Sequence, residues 1–456
     1  MFNIKNKNSI LLIIQLIIGA GLSICTIPNL FSNSHFFLEK TQRSEIVNIG
    51  LSNQGFINSS DQNIFWFIQI TDTQFVWSAS EKISTFNQLL NESFQEINPL
   101  FIYNTGDLVD ANYGIQQDVE EWELYKKALE DNSMNSSIYI DLIGNHDAAQ
   151  DSNFSYYLNY SMIGRSFNTL QYSFNKSFSF GKYAFIGLNT AKSSYNLVEF
   201  AFHGFLNSTE LDWYENELEK FRNFDRIFVF GHHPHNTPPP YLIISNLSSS
   251  GKSFFDLNEE FNVFSYFSGH SHVDYFQNIG GILMISTRNF DLNGGTYRIV
   301  SLDHNQLATS IEHIGNWPQG IITYPPTENN PIQNYDKIRI LAWDPKGITT
   351  VKWSFYSSNS KLQITNWEPL INVDSNEPLW EGNLDNKLNG LYVLKVKIEG
   401  GSGVVIKEIT FNSQGSGNFE FIIKFAFTTI ALISISIVSL KYSRDHTGKF
   451  KKVKYN

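Results

Sequence analysis

Short apolar runs alternate with amphipathic stretches over the first part of the chain. The run Ile64–Ile70 (IFWFIQI) is apolar at nearly every position, as expected for a strand that is buried on both faces. Similar runs end at Asn104, Ile143, Leu188, Phe230 and Ser268. Between them, apolar side chains recur about every 3.6 residues, which predicts helices over 81–96, 119–129 and 209–224. Thr209 is the expected N-cap of the last helix. This alternation predicts an α/β fold over residues 61–315.

Polar side chains follow five of these runs, at the points where the strands end. They are Asp72 and Gln74, then Asp107, then Asn145, His146 and Asp147, then His232, and finally His270 and His272. The carboxyl ends of parallel strands meet at one edge of a sheet, where ligands bind. Of the eleven histidines in the chain, six lie in three of these loops. Clusters of His, Asp and Asn without Cys are typical of divalent metal sites, so we expect a metal site at this edge.

Five short motifs in these loops resemble the ordered motifs of the calcineurin-like metallophosphoesterases. They read Asp72-x-Gln74, Gly106-Asp107, Gly144-Asn145-His146-Asp147, Gly231-His232 and Gly269-His270-Ser271-His272. One such motif alone is a weak signal, but five in order, each after a predicted strand, are specific. The resemblance covers residues 61–315. It implies a metallophosphoesterase-type α/β/β/α sandwich that hydrolyses phosphoesters with two divalent metal ions, such as Mn, Fe, Zn or Mg.

The resemblance also implies a role for each motif residue. The metal ligands fall into two sets, Asp72 and His272 for one ion and Asn145, His232 and His270 for the other, with Asp107 bridging both. His146 would stand beside the phosphate and assist the leaving group. Asp147 would orient His146.

The first motif departs from the family pattern at Gln74, where a histidine is usual. A Gln amide oxygen binds metals, but it is a weaker donor than imidazole to Zn or Fe and suits harder ions such as Mn or Mg. We therefore interpret Gln74 as a changed metal ligand. The same substitution supports an alternative hypothesis, in which the chain is a catalytically inactive receptor or interaction protein built on the same fold.

The chain changes character after residue 315. The segment 324–331 (YPPTENNP) has the composition of a linker, and strands that alternate apolar and polar residues follow it. These strands are predicted at 337–342, 351–355, 362–366, 391–398 and 404–411. Their spacing predicts an all-β, immunoglobulin-like sandwich over 332–412, without a disulfide. A phosphoesterase domain followed by such a sandwich and by membrane spans resembles the transmembrane protein 62 branch of the family.

Two apolar segments near the ends of the chain predict a membrane protein. Residues 1–28 combine Lys5 and Lys7 with a long apolar run, as in a signal peptide or signal anchor. Residues 421–440 approach the ~20 residues that a transmembrane helix needs. The tail, 441–456, carries six Lys and Arg residues against one Asp, which predicts a cytosolic tail and a luminal or extracellular body. Eight N-x-S/T sequons in the body are compatible with a glycoprotein, although a chain this rich in Asn and Ser yields such sequons by chance.

The formal net charge of −11 is concentrated in the body, because basic residues cluster near both ends. An acidic body argues against nucleic-acid binding, which needs a basic surface. It is compatible with the binding of divalent cations. The single cysteine, Cys25, lies in the N-terminal apolar segment, so the body has neither a disulfide nor a thiol-based metal site.

These observations favour an enzyme, a two-metal hydrolase of a phosphomonoester or phosphodiester that is anchored in a membrane by a C-terminal helix. Its partners would be the phosphoester substrate and the bilayer, and the sequence identifies no protein partner. The inactive receptor is the second hypothesis, and it predicts at most one bound metal. A protein phosphatase is the third, and the acidic body with no evident peptide groove argues against it.

Overall fold

The computed structural model describes residues 47–413, except 60–61, 77, 79, 193–202, 236–240, 245, 291–293, 328–336 and 384–389. The chain divides into two units, and all described residues belong to the second, Ser44–Asn456. The predicted signal sequence (1–28), membrane helix (421–440) and cytosolic tail (441–456) lie outside the described residues and stay predictions. Within the described ranges, no helix is long and apolar enough to cross a membrane.

The first part of the described chain mixes strands and helices. Its strands are β1 (Phe56–Ile57), β2 (Ile64–Ile70), β3 (Ile102–Asn104), β4 (Tyr139–Asp141), β5 (Tyr172–Phe178), β6 (Gly181–Gly187), β7 (Gly204–Phe205), β8 (Arg226–Phe230), β9 (Leu242–Ile243), β10 (Ser265–Ser268), β11 (Tyr275–Ile279), β12 (Ile282–Ser286), β13 (Thr296–Asp303) and β14 (Gln306–His313). Its helices are α1 (Ser80–Glu92), α2 (Ala111–Gly114), α3 (Val119–Asp131), α4 (Ser155–Tyr160), α5 (Met162–Phe167), α6 (Ser208–Lys220) and α7 (Phe254–Glu260), and a π-helical turn, Ser93–Ile97, follows α1.

Two six-stranded sheets organise this part. In the first the order is β14-β13-β2-β3-β4, with β1 beside β2, and β2, β3 and β4 are parallel. In the second the order is β11-β12-β10-β8-β6-β5, and β6, β8, β10 and β12 are parallel. The motif loops follow β2, β3 and β4 in the first sheet and β8 and β10 in the second.

The two sheets face each other across an aromatic layer. The ring centroid of Phe67, on β2, lies 6.1 Å from that of Phe228 and 5.7 Å from that of Phe267, which belong to the second sheet. Side chains of α1 and α3, such as Phe86 and Tyr125, pack on the other face of the first sheet, and side chains of α6 and α7 pack on the second. Both faces of β2 are therefore buried, which explains its continuous apolar run. The predicted α/β fold is confirmed.

Two further sheets follow β14. Their strands are β15 (Gln319–Tyr324), β16 (Lys337–Trp343), β17 (Ile348–Ser357), β18 (Glu368–Pro369), β19 (Ile371–Asn372), β20 (Leu379–Asn383), β21 (Gly390–Gly400) and β22 (Gly403–Ser413). The order is β15-β16-β20-β19 in one sheet and β18-β17-β21-β22 in the other, with antiparallel pairing throughout. Ile340 of the first sheet and Trp353 and Val396 of the second share one apolar core.

The strands of this β region differ from the prediction, which lacked β18, β19 and β20 and differed at two further places. β15 belongs to it, although this strand lies before the predicted start at residue 332. The predicted strand at 362–366 is reduced to a single bridge between Gln363 and Tyr356. The alternating pattern at 362–366 therefore marks a chain segment beside β17 rather than a strand of its own.

Buried ion pairs join the β region to the α/β part. Arg339 Nε, on β16, lies 2.8 Å from Asp303 Oδ2 at the end of β13, and both side chains are at most 2% exposed. Lys407 Nζ, on β22, lies 2.5 Å from Glu312 Oε1, on β14. Removing one partner of a buried ion pair leaves an uncompensated charge and is strongly destabilising. The two parts of the described chain therefore depend on each other.

Helix α6 begins earlier than the sequence predicted. Asn207 is its N-cap: the Asn207 side chain accepts the N–H of Glu210 at 2.9 Å, and the Glu210 carboxylate accepts the N–H of Asn207 at 2.7 Å. This reciprocal pair satisfies two N–H groups that the first turn of a helix leaves free. The prediction of Thr209 as the N-cap was wrong. The glutamate that bonds back to the N-cap residue in this capping box is Glu210, three residues after Asn207.

Candidate metal centre

The first two motif loops are joined backbone to backbone. The N–H of Asp72 donates to the carbonyl of Gly106 at 2.9 Å. The N–H of Gln74 donates to the carbonyl of Asp107, also at 2.9 Å. These bonds continue the parallel pairing of β2 and β3 beyond the strand ends. The backbone segments that carry Asp72 and Asp107 are therefore held side by side.

Five of the predicted site residues adopt left-handed backbone angles. They are Asp72 (φ 53°), Gln74 (φ 41°), Asp107 (φ 55°), His270 (φ 62°) and His272 (φ 56°). This conformation costs a residue with a Cβ roughly 1–2 kcal/mol, and it persists only where the surroundings impose it. Strained backbone therefore occurs in three of the loops that carry the candidate ligands.

Two glycines allow the loops to approach each other. A Cβ added at Gly144 would lie 2.1 Å from Oδ1 of Asp107. A Cβ added at Gly269 would lie 1.8 Å from the hydroxyl oxygen of Thr71 and 2.6 Å from Oδ2 of Asp72. Only a residue without a side chain fits at either position, so the glycines of the third and fifth motifs are needed for the site geometry.

Four candidate ligands form one hydrogen-bonded group, which we call the His232 half: Asp107, Asn145, His232 and His270. His232 Nε2 lies 3.0 Å from Asn145 Oδ1 and 3.2 Å from Asp107 Oδ2. His270 Nδ1 lies 2.8 Å from the same Asn145 oxygen. The other nitrogen of His232, Nδ1, lies 2.9 Å from the carbonyl of Thr105 and donates to it. That contact orients the ring and leaves Nε2 for a metal, the arrangement usual for metal-binding histidines.

The remaining candidate ligands form the His272 half: Asp72, Gln74 and His272. His272 Nε2 lies 3.1 Å from Asp72 Oδ1. The second carboxylate oxygen of Asp72 accepts the N–H of His270 at 2.9 Å. The backbone N–H of Gln74 donates to the carbonyl of Asp107, and its side chain is partly buried. Within the described residues, no contact joins that side chain to Asp72 or His272. The side chain of His272 is 42% exposed, so this half is open to solvent.

The electrostatics of the buried half keep its carboxylate ionised. Burial raises the pKa of Asp107, but the imidazoles of His232 and His146 outweigh it and hold that pKa well below its usual range. Burial lowers the pKa of His232, and the Asp107 carboxylate more than reverses this, raising the pKa to about 9. Burial and the neighbouring His232 lower the pKa of His270 to about 4. At neutral pH His270 is therefore neutral and ready to bind a cation, whereas His232 carries a proton that a divalent cation must displace from Nε2.

The donor set fits a divalent metal. Ligand atoms of Asp72, Asp107 and His232 lie within 4.8 Å of one another, and so do those of His232, His233 and His270. Carboxylate oxygen together with imidazole nitrogen suits Mn, Fe, Zn and similar ions. The predicted ligands of the two halves, apart from the side chain of Gln74, therefore come together in space.

His146 lies beside the centre without being part of a ligand cluster in the described residues. Its Nδ1 lies 2.6 Å from the carbonyl oxygen of Asp110. Since a carbonyl only accepts, Nδ1 carries a proton. The opposite nitrogen, Nε2, points toward the centre, 3.8 Å from Asp107 Oδ2. Burial lowers the pKa of His146, and Asp107 and the Asp110 carbonyl outweigh this and raise it.

Asp147 has a different task from the one that the sequence assigned to it. Its carboxylate accepts the N–H groups of Leu108 (2.9 Å), Val109 (3.2 Å) and Gly144 (2.7 Å). It therefore ties the second motif loop to the third. The residue whose carbonyl orients His146 is Asp110, which sequence reasoning missed because nothing in its spacing distinguishes it from a loop aspartate.

His233 is a second residue whose place the sequence did not predict. Its ring centroid lies 4.7 Å from that of His270, and its Nδ1 lies 2.9 Å from the hydroxyl of Thr190. The pair His232-His233 in the sequence was the available signal. Adjacent residues in an extended chain point in opposite directions, so the pattern favoured only one of them as a ligand.

Comparisons with known proteins agree with this geometry. Residues 65–274 match the family model of the calcineurin-like phosphoesterases. A protein of Arabidopsis thaliana that carries the name metallophosphoesterase is 25% identical over 260 residues, which is 51% of this chain and 33% of the plant protein. The chain thus matches about a third of the length of that relative.

Two other similar proteins span more of their own length. A 3′,5′-cyclic-nucleotide phosphodiesterase of Nostoc sp. is 29% identical over 216 residues, which is 45% of this chain and 71% of the Nostoc protein. The solved structure of GAP50, the anchor in the inner membrane complex of Plasmodium, is 13% identical and covers 56% of this chain and 85% of its own, with a TM-score of 0.36.

The matched range runs from β2 to the loop after β10 and contains all five motif loops. The clustered side chains and the family match thus fall on the same residues. The chain therefore carries a calcineurin-like phosphoesterase domain over residues 65–274.

Proposed function

We propose that the protein hydrolyses a phosphomonoester or phosphodiester with the help of two divalent metal ions. The observation that carries this proposal is the convergence of Asp72, Asp107 and His232 ligand atoms within 4.8 Å. The family match supports a phosphoester as the substrate. The cyclic-nucleotide activity named for the Nostoc relative makes a cyclic phosphodiester the first natural substrate to test.

Each half of the centre would hold one ion. Asp72, Gln74 and His272 would bind one, Asn145, His232 and His270 the other, and Asp107 would serve both. Bound divalent ions supply positive charge that lowers the pKa of a nearby water and stabilises phosphoryl oxygens.

His146 would act as the general acid. Water adds to phosphorus, the bond between phosphorus and the leaving oxygen breaks, and that oxygen takes a proton from Nε2 of His146. The Asp110 carbonyl keeps the proton on Nδ1, so Nε2 is the nitrogen that exchanges a proton with the substrate. A proton of the attacking water replaces the one that Nε2 gave up. The products are the free alcohol together with phosphate from a monoester, or with a phosphomonoester from a diester.

We further propose that this domain stands on the luminal or extracellular side of a membrane, held by the predicted helix at 421–440. The basic tail at 441–456 supports this orientation. The resemblance to the transmembrane protein 62 branch stays a prediction.

An inactive receptor remains the second candidate, and two features of the His272 half favour it. Gln74 replaces the usual histidine of the motif, and His272 is half exposed. Both weaken the hold on one ion. A protein with one tightly bound metal and no turnover would match this reading.

The deciding experiment uses the full-length protein in detergent. Bound metals are measured by elemental analysis, and p-nitrophenyl phosphate and bis-p-nitrophenyl phosphate are assayed with Mn, Mg, Zn and Fe. We expect about two metals per chain and activity on both esters that is lost in Asp107→Ala. In His146→Ala the loss should appear on ethyl phosphate, whose alkoxide needs a proton as it leaves, rather than on the nitrophenyl esters. His304→Ala is the matched control, because His304 pairs with Asp303 at the opposite end of β13. At most one metal, with no turnover of either ester, would establish the inactive receptor instead.

A further inference from the structure

The short element α2, Ala111–Gly114, follows the second motif loop and is a left-handed helical turn. Ala111, Asn112, Tyr113 and Gly114 have φ angles of 49°, 50°, 61° and 74° in succession. Single residues visit this region in ordinary turns, but L-residues rarely follow one another there. Such a segment persists only where its surroundings hold it.

Three hydrogen bonds hold this turn. The N–H of Ala111 donates to the carboxylate of Glu121 at 2.8 Å, and Glu121 is 2% exposed. The N–H of Tyr113 donates to the Asp110 carboxylate at 2.7 Å. The N–H of Gly114 donates to the Asp110 carbonyl at 2.8 Å. A buried carboxylate on α3 therefore fixes the start of the turn, and Asp110 fixes its end.

The turn packs directly against His146. The Asp110 carbonyl that accepts the N–H of Gly114 is the same oxygen that accepts Nδ1 of His146. A Cβ added at Gly114 would lie 3.4 Å from Cε1, 3.4 Å from Nε2 and 3.5 Å from Cδ2 of the imidazole. These nearly equal distances mean that the ring presents its face to the turn, and that the turn limits where Nε2 can lie.

The same turn exposes a large aromatic side chain. Tyr113 is 81% exposed, the most exposed of the large hydrophobic side chains in the described residues. It directly precedes Gly114, the position that faces the His146 imidazole. An exposed aromatic ring is a surface on which an apolar or planar ligand group can pack.

We propose that the turn Ala111–Gly114 forms the leaving-group side of the active site, in which Gly114 and Asp110 position His146 and Tyr113 contacts the leaving group. The favoured substrates are then phosphoesters whose alcohol carries a planar aromatic or apolar group. This inference rests on the proposed hydrolysis, in which the oxygen protonated by His146 belongs to the leaving group. A group that leaves beside His146 must also leave beside this turn.

The first test compares two esters whose alcohols have similar acidity, benzyl phosphate and ethyl phosphate. If the protein is a diesterase, the corresponding methyl diesters replace them. We expect wild-type kcat/KM to favour the benzyl ester, and Tyr113→Ala to lose about three- to tenfold of that preference, mainly through KM. Tyr113→Phe should keep it. Leu362→Ala is the control, because it removes a side chain that is 69% exposed from the β region.

A binding measurement separates this inference from the proposed function. Benzylphosphonate and ethylphosphonate resist hydrolysis, and their affinities can be measured by calorimetry on the metal-loaded protein. Tighter binding of benzylphosphonate, abolished in Tyr113→Ala, supports the contact even if no ester is turned over, in which case the proposed hydrolysis alone fails. Turnover with a benzyl preference that Tyr113→Ala leaves unchanged overturns the inference alone. No binding and no turnover overturn both.

The second test addresses the positioning of His146. Gly114→Val pushes a side chain onto the imidazole, and Glu121→Leu removes the acceptor of the Ala111 N–H, whereas Glu121→Gln keeps an acceptor oxygen. We expect the first two variants to lose about tenfold or more on ethyl phosphate and much less on p-nitrophenyl phosphate, because nitrophenolate leaves without a proton. Glu121→Gln should stay near wild type. Equal losses on both esters with an unchanged circular dichroism melting curve would refute the positioning role.

Discussion

The two halves of the candidate metal centre differ in how firmly the protein holds them before any metal binds. In the His232 half, the imidazole of His232 is completely buried and contacts both Asn145 and Asp107. In the His272 half, the imidazole of His272 is 42% exposed and contacts Asp72. Burial and mutual hydrogen bonds organise the first half in advance, while the second half leaves room for solvent and substrate. We therefore expect an ion bound in the His232 half to leave slowly and an ion bound in the His272 half to exchange readily.

The largest expected effect comes from the residue that both halves share. Asp107→Asn removes the buried negative charge that balances the histidines, so both ions should be lost together. We expect metal content near zero and activity reduced by roughly a thousandfold or more. Elemental analysis and the p-nitrophenyl ester assay measure this directly. Asp131→Asn, at an exposed ion pair with Lys127, is the control. Retention of one ion in Asp107→Asn would show that the halves are independent.

The next effect tests the inequality itself. His232→Ala opens a cavity in the buried half and removes a ligand whose orientation is set by the Thr105 carbonyl. We expect it to weaken the tighter metal site by about 100-fold, and His272→Ala to weaken the looser site by about tenfold. Titration of the metal-free protein with Zn or Mn, followed by calorimetry, gives both affinities. If the two variants weaken metal binding equally, the difference in burial between His232 and His272 does not affect metal affinity.

A third substitution should make the halves more alike. Gln74→His restores the usual motif residue and gives the His272 half a second imidazole. We expect tighter binding of Zn or Fe at the looser site by about tenfold, with little change for Mg, because imidazole is the softer ligand. Competition between Mg and Zn in the same titration reveals the shift. An unchanged ratio would mean that the side chain at this position does not reach the metal.

The smallest effect concerns the support that both halves share. Asp147 accepts three backbone N–H groups from two loops, so Asp147→Ala leaves three buried donors unsatisfied and should lower the free energy of unfolding by about 3 kcal/mol. Asp147→Asn keeps an acceptor oxygen and should lose about 1 kcal/mol. Urea unfolding monitored by circular dichroism measures both. A drop in the affinity of only one metal, without loss of stability, would contradict this framework role.

The sequence predicted the parts of the site that follow from strand periodicity. The runs at Ile64–Ile70 and Arg226–Phe230 are strands with those bounds, and the polar residues after them lie at the centre. Each of these inferences needs only the local pattern and the rule that parallel strands present their carboxyl ends together.

The sequence could not predict features that depend on contacts between distant loops. The Asp110 carbonyl meets His146 only after the second and third loops have been brought together, and Asp147 meets Leu108 in the same way. The left-handed angles at Asp107 and His270 arise from the loop packing, since neither residue type demands them. The pairing of β15 with β16 could not be predicted either, because an alternating pattern does not show which sheet a strand joins.

The buried ion pairs between the β region and the α/β part limit where the chain can be truncated. A fragment that ends at residue 315 would retain Asp303 and Glu312 but lose Arg339 and Lys407, their partners. Two carboxylates would then be left at a newly exposed apolar seam, where β15 is missing as well. The phosphoesterase domain defined by its motifs is therefore smaller than the part of the protein that must be expressed together to fold stably.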